Sequence, residues 1–259
     1  MRVRTLEQAA AWLEDVGLAL LYPNADYVLP SLWEAVAGRV PVDWAIRDEE
    51  GTFVSFTPEM ERVWSWKDEL PAGKLACVGL HLARTSALVA PALVASLYTL
   101  TGRDGTPGDF RTAELGDVEL AVAEAALDAR RPVTRRELRL LIGADKRTTD
   151  RAVNALQRKL VLTNAGTTSA ESGWSSTLHD LFARRWRGKL RQLPARERAV
   201  PRLAEAVLRG AEDVSAADLA AALRLRRREA ADVLEALEAK GVAVPRLDDG
   251  VAVWSASRR

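Results

Sequence analysis

Val133-Thr134-Arg135-Arg136-Glu137-Leu138 and Val214-Ser215-Ala216-Ala217-Asp218-Leu219 lie 81 residues apart and read as the same local structure. Each is a β-branched residue, a hydroxyl residue suited to a helix N-cap, and an acid three positions later that can close a capping box. The correspondence continues without a gap. Ile142 falls on Leu223, Val153 on Leu234, Leu156 on Leu237, Lys159 on Lys240 and Val161 on Val242. Both copies predict a short capped helix, a turn, a longer helix, and then strand–turn–strand. In the second copy Val242-Ala243-Val244 and Val251-Ala252-Val253-Trp254 flank Leu247-Asp248-Asp249-Gly250, an Asp-Gly hairpin signal. In the first copy the turn is expected over Asn164 to Gly173. A further helix precedes each copy, at 113–129 and 200–210. Three helices and a β-hairpin make a winged helix. The expected class is mainly α with small β-hairpins, built of tandem winged-helix domains.

Outward from the repeat, the chain has two breaks. Gly102-Arg103-Asp104-Gly105-Thr106-Pro107-Gly108 cannot be helix interior, and Gln192-Leu193-Pro194-Ala195 through Val200-Pro201 is the second. They give segments of about 1–105, 110–190 and 199–259, expected to pack together. In the first, Thr5 with Gln8 and Ser31 with Glu34 start helices over 5–16 and 31–37. Thr57-Pro58 starts another over 58–70. Thr52-Phe53-Val54-Ser55-Phe56 is β-prone, and a helix is expected over 72–83. Pro91 to Leu100 and Thr112 to Ala129 read as further helices. This segment is either a degenerate third copy or an unrelated helical cap.

Composition limits the chemistry. The 259 residues hold 37 Lys+Arg, 36 Asp+Glu, two histidines and one cysteine, with an apolar share of 48%. One cysteine excludes an intramolecular disulfide and a multi-cysteine zinc site. No apolar run is long enough to span a membrane, and Met1-Arg2-Val3-Arg4 does not open a signal peptide. A soluble, cytoplasmic protein without cofactor, metal or membrane partner is expected, and a homo-oligomer is open. The net charge of +1 hides an asymmetry. Residues 1–128 carry 20 acids and 10 bases, net −10; the remainder carries 16 acids and 27 bases, net +11. A basic half points to a polyanion such as double-stranded DNA, or to an acidic face on the same molecule.

Candidate DNA contacts concentrate in the middle segment. The helix expected over 146–160 buries Thr149, Ala152, Val153, Leu156 and Leu160. It presents Lys146, Arg147, Asp150, Arg151, Asn154 and Arg158. Arg can pair with guanine and Asn with adenine, while Lys146 suits a phosphate. Arg135, Arg136 and Arg139 precede it, and Thr167-Thr168-Ser169 forms the expected hairpin tip. The run Arg184, Arg185, Trp186, Arg187 and Lys189, after a helix expected from Ser175, can clamp a backbone, with Trp186 either stacking a base or lying in the core. The corresponding helix of the second copy, 226–240, carries Glu229, Asp232, Glu235 and Glu238 and reads as structural.

Catalytic signals are weaker. Cys77 and His81 would share a helix face, though Val78, Leu80 and Leu82 argue for burial. His179-Asp180 beside Ser175 and Ser176 is adjacency on a helix, not a triad. Trp64-Ser65-Trp66-Lys67-Asp68 can line a pocket for a planar ligand, or place Trp64 in the core and Trp66 half-exposed. Asn24, Asp26 and Tyr27 occupy a loop, where chemistry is often carried.

Four stretches resemble the AlkZ-type DNA glycosylases, and more closely the shorter bacterial AlkZ-related proteins. They are Val16-Gly17-Leu18 with Leu20-Leu21-Tyr22-Pro23; Leu29-Pro30-Ser31-Leu32-Trp33-Glu34-Ala35-Val36; Trp66-Lys67-Asp68-Glu69-Leu70-Pro71; and Gly173-Trp174 before Arg184-Arg185-Trp186. The resemblance spans about 1–190. It implies three winged helices forming a concave basic surface for DNA, and excision of alkylated bases by a Gln–apolar–Gln or Gln–apolar–Asp motif. The three glutamines here, Gln8, Gln157 and Gln192, have no Gln or Asp two positions on. The resemblance therefore implies a DNA-binding architecture without the family's catalytic motif. Two alternatives stand beside it: a divergent glycosylase using the Asn24–Tyr27 loop, and a protein-interaction module.

Overall fold

The computed structural model describes residues 2–38, 43–82, 85–168 and 175–257. Thr5 opens α1 (Leu6–Val16) by accepting the Gln8 N–H, and Gly17 closes it at φ 80°. β1 (Leu18–Leu20) follows, wholly buried. Ser31 and Glu34 form the capping box of α2 (Leu32–Ala37). A hairpin of β2 (Ala45–Arg47) and β3 (Phe53–Phe56) comes next. Then α3 (Pro58–Ala72) starts on the Thr57 cap, with proline where no intrahelical N–H is required. β4 (Cys77–Gly79) and β5 (Ala87–Val89) complete an antiparallel sheet in the order β1-β5-β4. α4 (Val94–Thr99) leads to the glycine-rich stretch.

The middle unit comprises α5 (Asp117–Asp128), β6 (Val133–Thr134), α6 (Arg135–Ile142), α7 (Lys146–Arg158), β7 (Leu162–Thr167) and β8 (Thr177–Leu181). Thr134 and Glu137 form a reciprocal cap, Gly143 ends α6 in the left-handed region, and Asp145 caps α7 through the Thr148 N–H. A two-residue gap after Gly143 thus fixes the angle between α6 and α7. Val122, Ala126, Leu138, Val153 and Leu156 are buried at helical spacing and share one core. The sheet order is β6-β8-β7. Short helices α8 (Phe182–Arg185) and α9 (Arg187–Leu190) connect onward.

The last unit is α10 (Arg196–Gly210), β9 (Val214–Ser215), α11 (Ala216–Leu223), α12 (Arg227–Ala239), β10 (Ala243–Asp248) and β11 (Val251–Ala256), with sheet order β9-β11-β10. Asp249 (φ 45°) and Gly250 (φ 80°) form its two-residue hairpin turn. β9, α11 and α12 begin 81 residues after β6, α6 and α7. Each of the three three-stranded sheets places its first strand beside the third, and the third beside the second. The first segment therefore shares the connectivity of the other two, with the β2–β3 hairpin inserted between its second and third helices.

Several expectations are corrected. Residues 72–83 are not helical: α3 ends at Ala72, and Cys77–Gly79 is a buried strand paired with Ala87–Val89. The region from Ser175 is β8, so His179 and Asp180 sit on a strand, opposite Val133 and Thr163. Short apolar runs carry no period that separates strand from helix. Asn164 lies within β7 rather than in the turn; Ser169, Gly173 and Trp174 fall outside the described residues. α5 starts at Asp117 rather than Thr112, and α4 at Val94 rather than Pro91. α10 begins at Arg196 and carries Pro201 inside it, so the second break is shorter than expected. Trp66 is buried at 6% exposure while Trp64 is 44% exposed, the reverse of the expected placement. Trp66 shares α3's inner face with Val63 and Leu70.

The units share cores. Leu18, Val89 and Tyr98 of the first, Phe182 and Trp186 after the middle one, and Leu203, Leu219 and Leu234 of the last form one apolar cluster. No described helix is long and apolar enough to cross a membrane.

Candidate nucleic-acid interface

α7 carries several exposed cations. Lys146, Arg147 and Arg151 are exposed, and no ion pair or hydrogen bond engages their side chains among the described residues. Lys146 and Arg147 stand in the first turn, beside the positive end of the helix dipole, where a cation destabilises the helix. The Asp145 cap carboxylate makes no ion pair with either of them, and a further anion at this end would favour the placement. Arg136 is exposed on α6 and Arg139 half-buried there.

Other predicted contacts turn inward. Arg135 donates from Nε to His179 Nε2 at 3.3 Å, from Nη1 to Asp150 at 3.1 Å, and from Nη2 to Asn154 Oδ1 at 2.7 Å. Arg135 and Asn154 thus hold each other, and Asp150 neutralises the arginine. Arg184 bonds Asp180 at 2.7 Å and the Arg131 carbonyl at 2.9 Å. Arg185 donates to the Pro71 and Ala72 carbonyls at the end of α3, the Ala72 contact at 2.8 Å. Burial pulls the Arg185 guanidinium below its ordinary value. These two arginines tie elements together. Trp186 is 4% exposed in the core and offers no face to a base. Arg187 and Lys189 remain exposed on α9, which packs on α4 and α8. Arg158 is exposed, and with Lys159, Arg103 and Arg224 lines a separate cavity of about 530 Å³. In the last unit, Glu229 pairs with Arg196 at 2.7 Å and Glu238 accepts the Trp254 indole N–H at 2.9 Å. α12 therefore carries structural contacts.

Between the first and middle units lies a polar cavity of about 350 Å³, which the sequence reading missed. Lys67 and Asp68 of α3 face Arg135, Asn154 and Gln157 across it, with His179 from β8. Of the Trp64–Asp68 stretch only Lys67 and Asp68 line this cavity, and neither tryptophan does; the residues they face lie 68 to 112 positions further along the chain, and no local pattern announces them.

Cys77 and His81 converge through a different route from the expected helix face. Both approach Thr163 Oγ1, Cys77 Sγ at 3.7 Å and His81 Nε2 at 3.1 Å, while His81 Nδ1 donates to the Gln157 carbonyl at 3.0 Å. Burial pushes the thiol up to about 12 and the imidazole down to about 4, so both are neutral at pH 7. A neutral thiol and neutral imidazole are not the ion pair that nucleophilic catalysis uses. His179 is also buried neutral, pulled down to about 3 by burial and then by the Arg135 charge.

The histidines predict an acid-sensitive fold. Both have folded values below the ordinary 6.5, so the unfolded chain binds protons first as pH falls. Their contribution is complete above about pH 6.5 and is lost progressively towards pH 4 and below. Each should withdraw about 2 kcal/mol between pH 7 and pH 5. Urea unfolding at the two pH values measures this; equal stabilities would contradict the buried neutral assignment.

In the Asn24–Tyr27 loop Asn24 holds the turn, while the Asp26 side chain is exposed. Asn24 Oδ1 accepts the Asp26 N–H at 2.9 Å, and the Asn24 carbonyl accepts the Tyr27 N–H at 3.1 Å. Tyr27 lines a cavity with Gly210 and Asp213 and none of the α6 or α7 residues. No group of three or more described His, Cys, Asp or Glu residues is placed to hold a metal.

Comparison with known proteins agrees with the architecture. The solved structure of Streptomyces sahachiroi DNA glycosylase AlkZ is similar at a TM-score of 0.50 and 16% identity, over 99% of this chain and 71% of that one. No curated protein sequence matches. The family model described as AlkZ related matches residues 3–224, and the chain belongs to the AlkZ-related family.

Proposed function

We propose that this protein binds duplex DNA through its middle unit, and that its three units are tandem winged helices. In that reading α7 enters the major groove. Arg147 and Arg151 face base edges or phosphates, Lys146 and Arg136 engage the backbone, and the β7–β8 hairpin lies along the flank. One observation carries the proposal. Where Arg135, Arg184 and Arg185 are engaged within the protein, Lys146, Arg147 and Arg151 stay exposed and unpaired on α7, the first two in its opening turn, where a cation costs stability. The family relationship and the likeness to a DNA glycosylase structure support a DNA partner. Arg135, Asn154, Arg184 and Arg185 leave the direct contact set, because their donors or acceptors are already engaged within the protein.

The resemblance brings no catalyst. The family's glutamine motif is missing from the sequence, and in the Asn24–Tyr27 loop the Asn24 side-chain oxygen holds its own turn. Binding without base excision is the function proposed. A salt titration tests it. With three to five phosphate contacts, the logarithm of the association constant should fall with the logarithm of salt at a slope of about −3 to −4.5. A slope near zero would exclude phosphate neutralisation.

A further inference from the structure

We infer that the cavity between the first and middle units binds a free, neutral, planar molecule edged with carbonyl oxygens. The argument rests on which hydrogen-bonding atoms the protein has left over. Three side-chain amides line the cavity: Asn154, Gln157 and Asn164. In each, the partner is an obligate donor, which fixes the orientation of the amide. Asn154 faces the Arg135 guanidinium at 2.7 Å, Gln157 the Leu80 N–H at 3.1 Å, and Asn164 the Gly166 N–H at 2.8 Å. Each must offer its oxygen, so each NH2 is turned away with no protein acceptor among the described residues. Three amide donors from two elements share one cavity and lack acceptors. Such donors match carbonyl oxygens on a ligand edge.

The charges select a neutral ligand. Lys67 pairs with Asp68 at 2.5 Å and Arg135 with Asp150 at 3.1 Å. Both cationic lining residues are therefore compensated. None of the unpaired cations of α6, α7 or α9 lines the cavity, so nothing there balances a phosphate, free or carried by a nucleotide backbone. Asp68 remains able to accept one ligand N–H. Leu21, Val78 and the Gly79 backbone supply an apolar surface on which a flat ring can lie. The volume suits a small heterocycle. The inference is independent of the DNA-binding reading.

Calorimetric titration of the full chain with uracil and with hypoxanthine tests it, with inorganic phosphate as the anionic control. At least one of the two bases should bind saturably, and phosphate should not. Asn154→Asp and Asn164→Asp keep the acceptor oxygen that Arg135 or Gly166 requires and replace the free NH2 by oxygen. Melting temperatures are expected to stay within a few degrees of the parent, while affinity for the base falls at least tenfold in each. Arg147→Glu should bind the base as the parent does. The inference is overturned by absence of binding at millimolar base, by unchanged affinity in both aspartate variants, by phosphate competing for the site, or by uracil binding only when built into a DNA strand.

Discussion

Replacing Arg147 and Arg151 together by glutamate is expected to weaken duplex binding at least about a hundredfold near 0.1 M salt, and to flatten the salt dependence by about two units of slope. Both side chains are exposed and hold no partner among the described residues. The double change should therefore alter stability by no more than about 0.5 kcal/mol per site. Lost affinity with an unchanged melting curve then reports contact, not misfolding. Fluorescence anisotropy on a labelled duplex at several salt concentrations makes the measurement. Arg184→Gln is the contrasting variant. Its guanidinium holds Asp180 and the Arg131 carbonyl, so it should lose stability while keeping the salt slope. Wild-type affinity in the double glutamate variant would remove α7 from the interface.

That contrast shows where the sequence is legible. Caps are local: Thr134 with Glu137, Ser215 with Asp218 and Ser31 with Glu34 each need only four residues, and each starts a helix where expected. The inner stripe of α7, from Thr149 to Leu156, follows from period alone. Cys77–Gly79 and Thr177–Leu181 do not, because a buried strand needs a partner strand that local sequence does not name. The candidate interface divides along the same line. Arg147 and Arg135 are both arginines on or beside one helix pair. Only tertiary packing, which brings Asp150, Asn154 and His179 within reach of Arg135, separates the free guanidinium from the engaged one. The cavity between the first two units was beyond reach for the same reason, since its walls come from Leu21 through His179.

Arg103 carries the second large expectation. It lies in the glycine-rich stretch that reads as a break, yet its side chain is only 4% exposed, as is that of Asp109, 3.4 Å away. Its Nη2 donates to the Lys159 carbonyl at 2.6 Å and the Leu160 carbonyl at 3.0 Å. Those carbonyls belong to the end of α7, where no intrahelical donor remains and a cation is favoured by the helix dipole. Leu160 is held there at φ 54°, a conformation costly for leucine. One guanidinium thus terminates α7, steadies a strained residue and joins the first unit to the middle one. Arg103→Ala leaves Asp109 charged in the interior and two carbonyls without a donor, and should cost about 3–5 kcal/mol. Asp109→Asn should cost less. The amide oxygen can still accept from the Tyr98 hydroxyl and the Gly105 N–H, which now lie 2.7–2.8 Å from the carboxylate, and Arg103 keeps both backbone acceptors. Urea unfolding of the two variants orders them, and Arg103→Ala within about 1 kcal/mol of the parent would refute the clamp, since the charge left behind would then be reaching water. The glycines around Arg103 let the chain bend so that the side chain reaches the end of α7. The stretch that sequence reads as a separation between units is therefore one of their polar attachments.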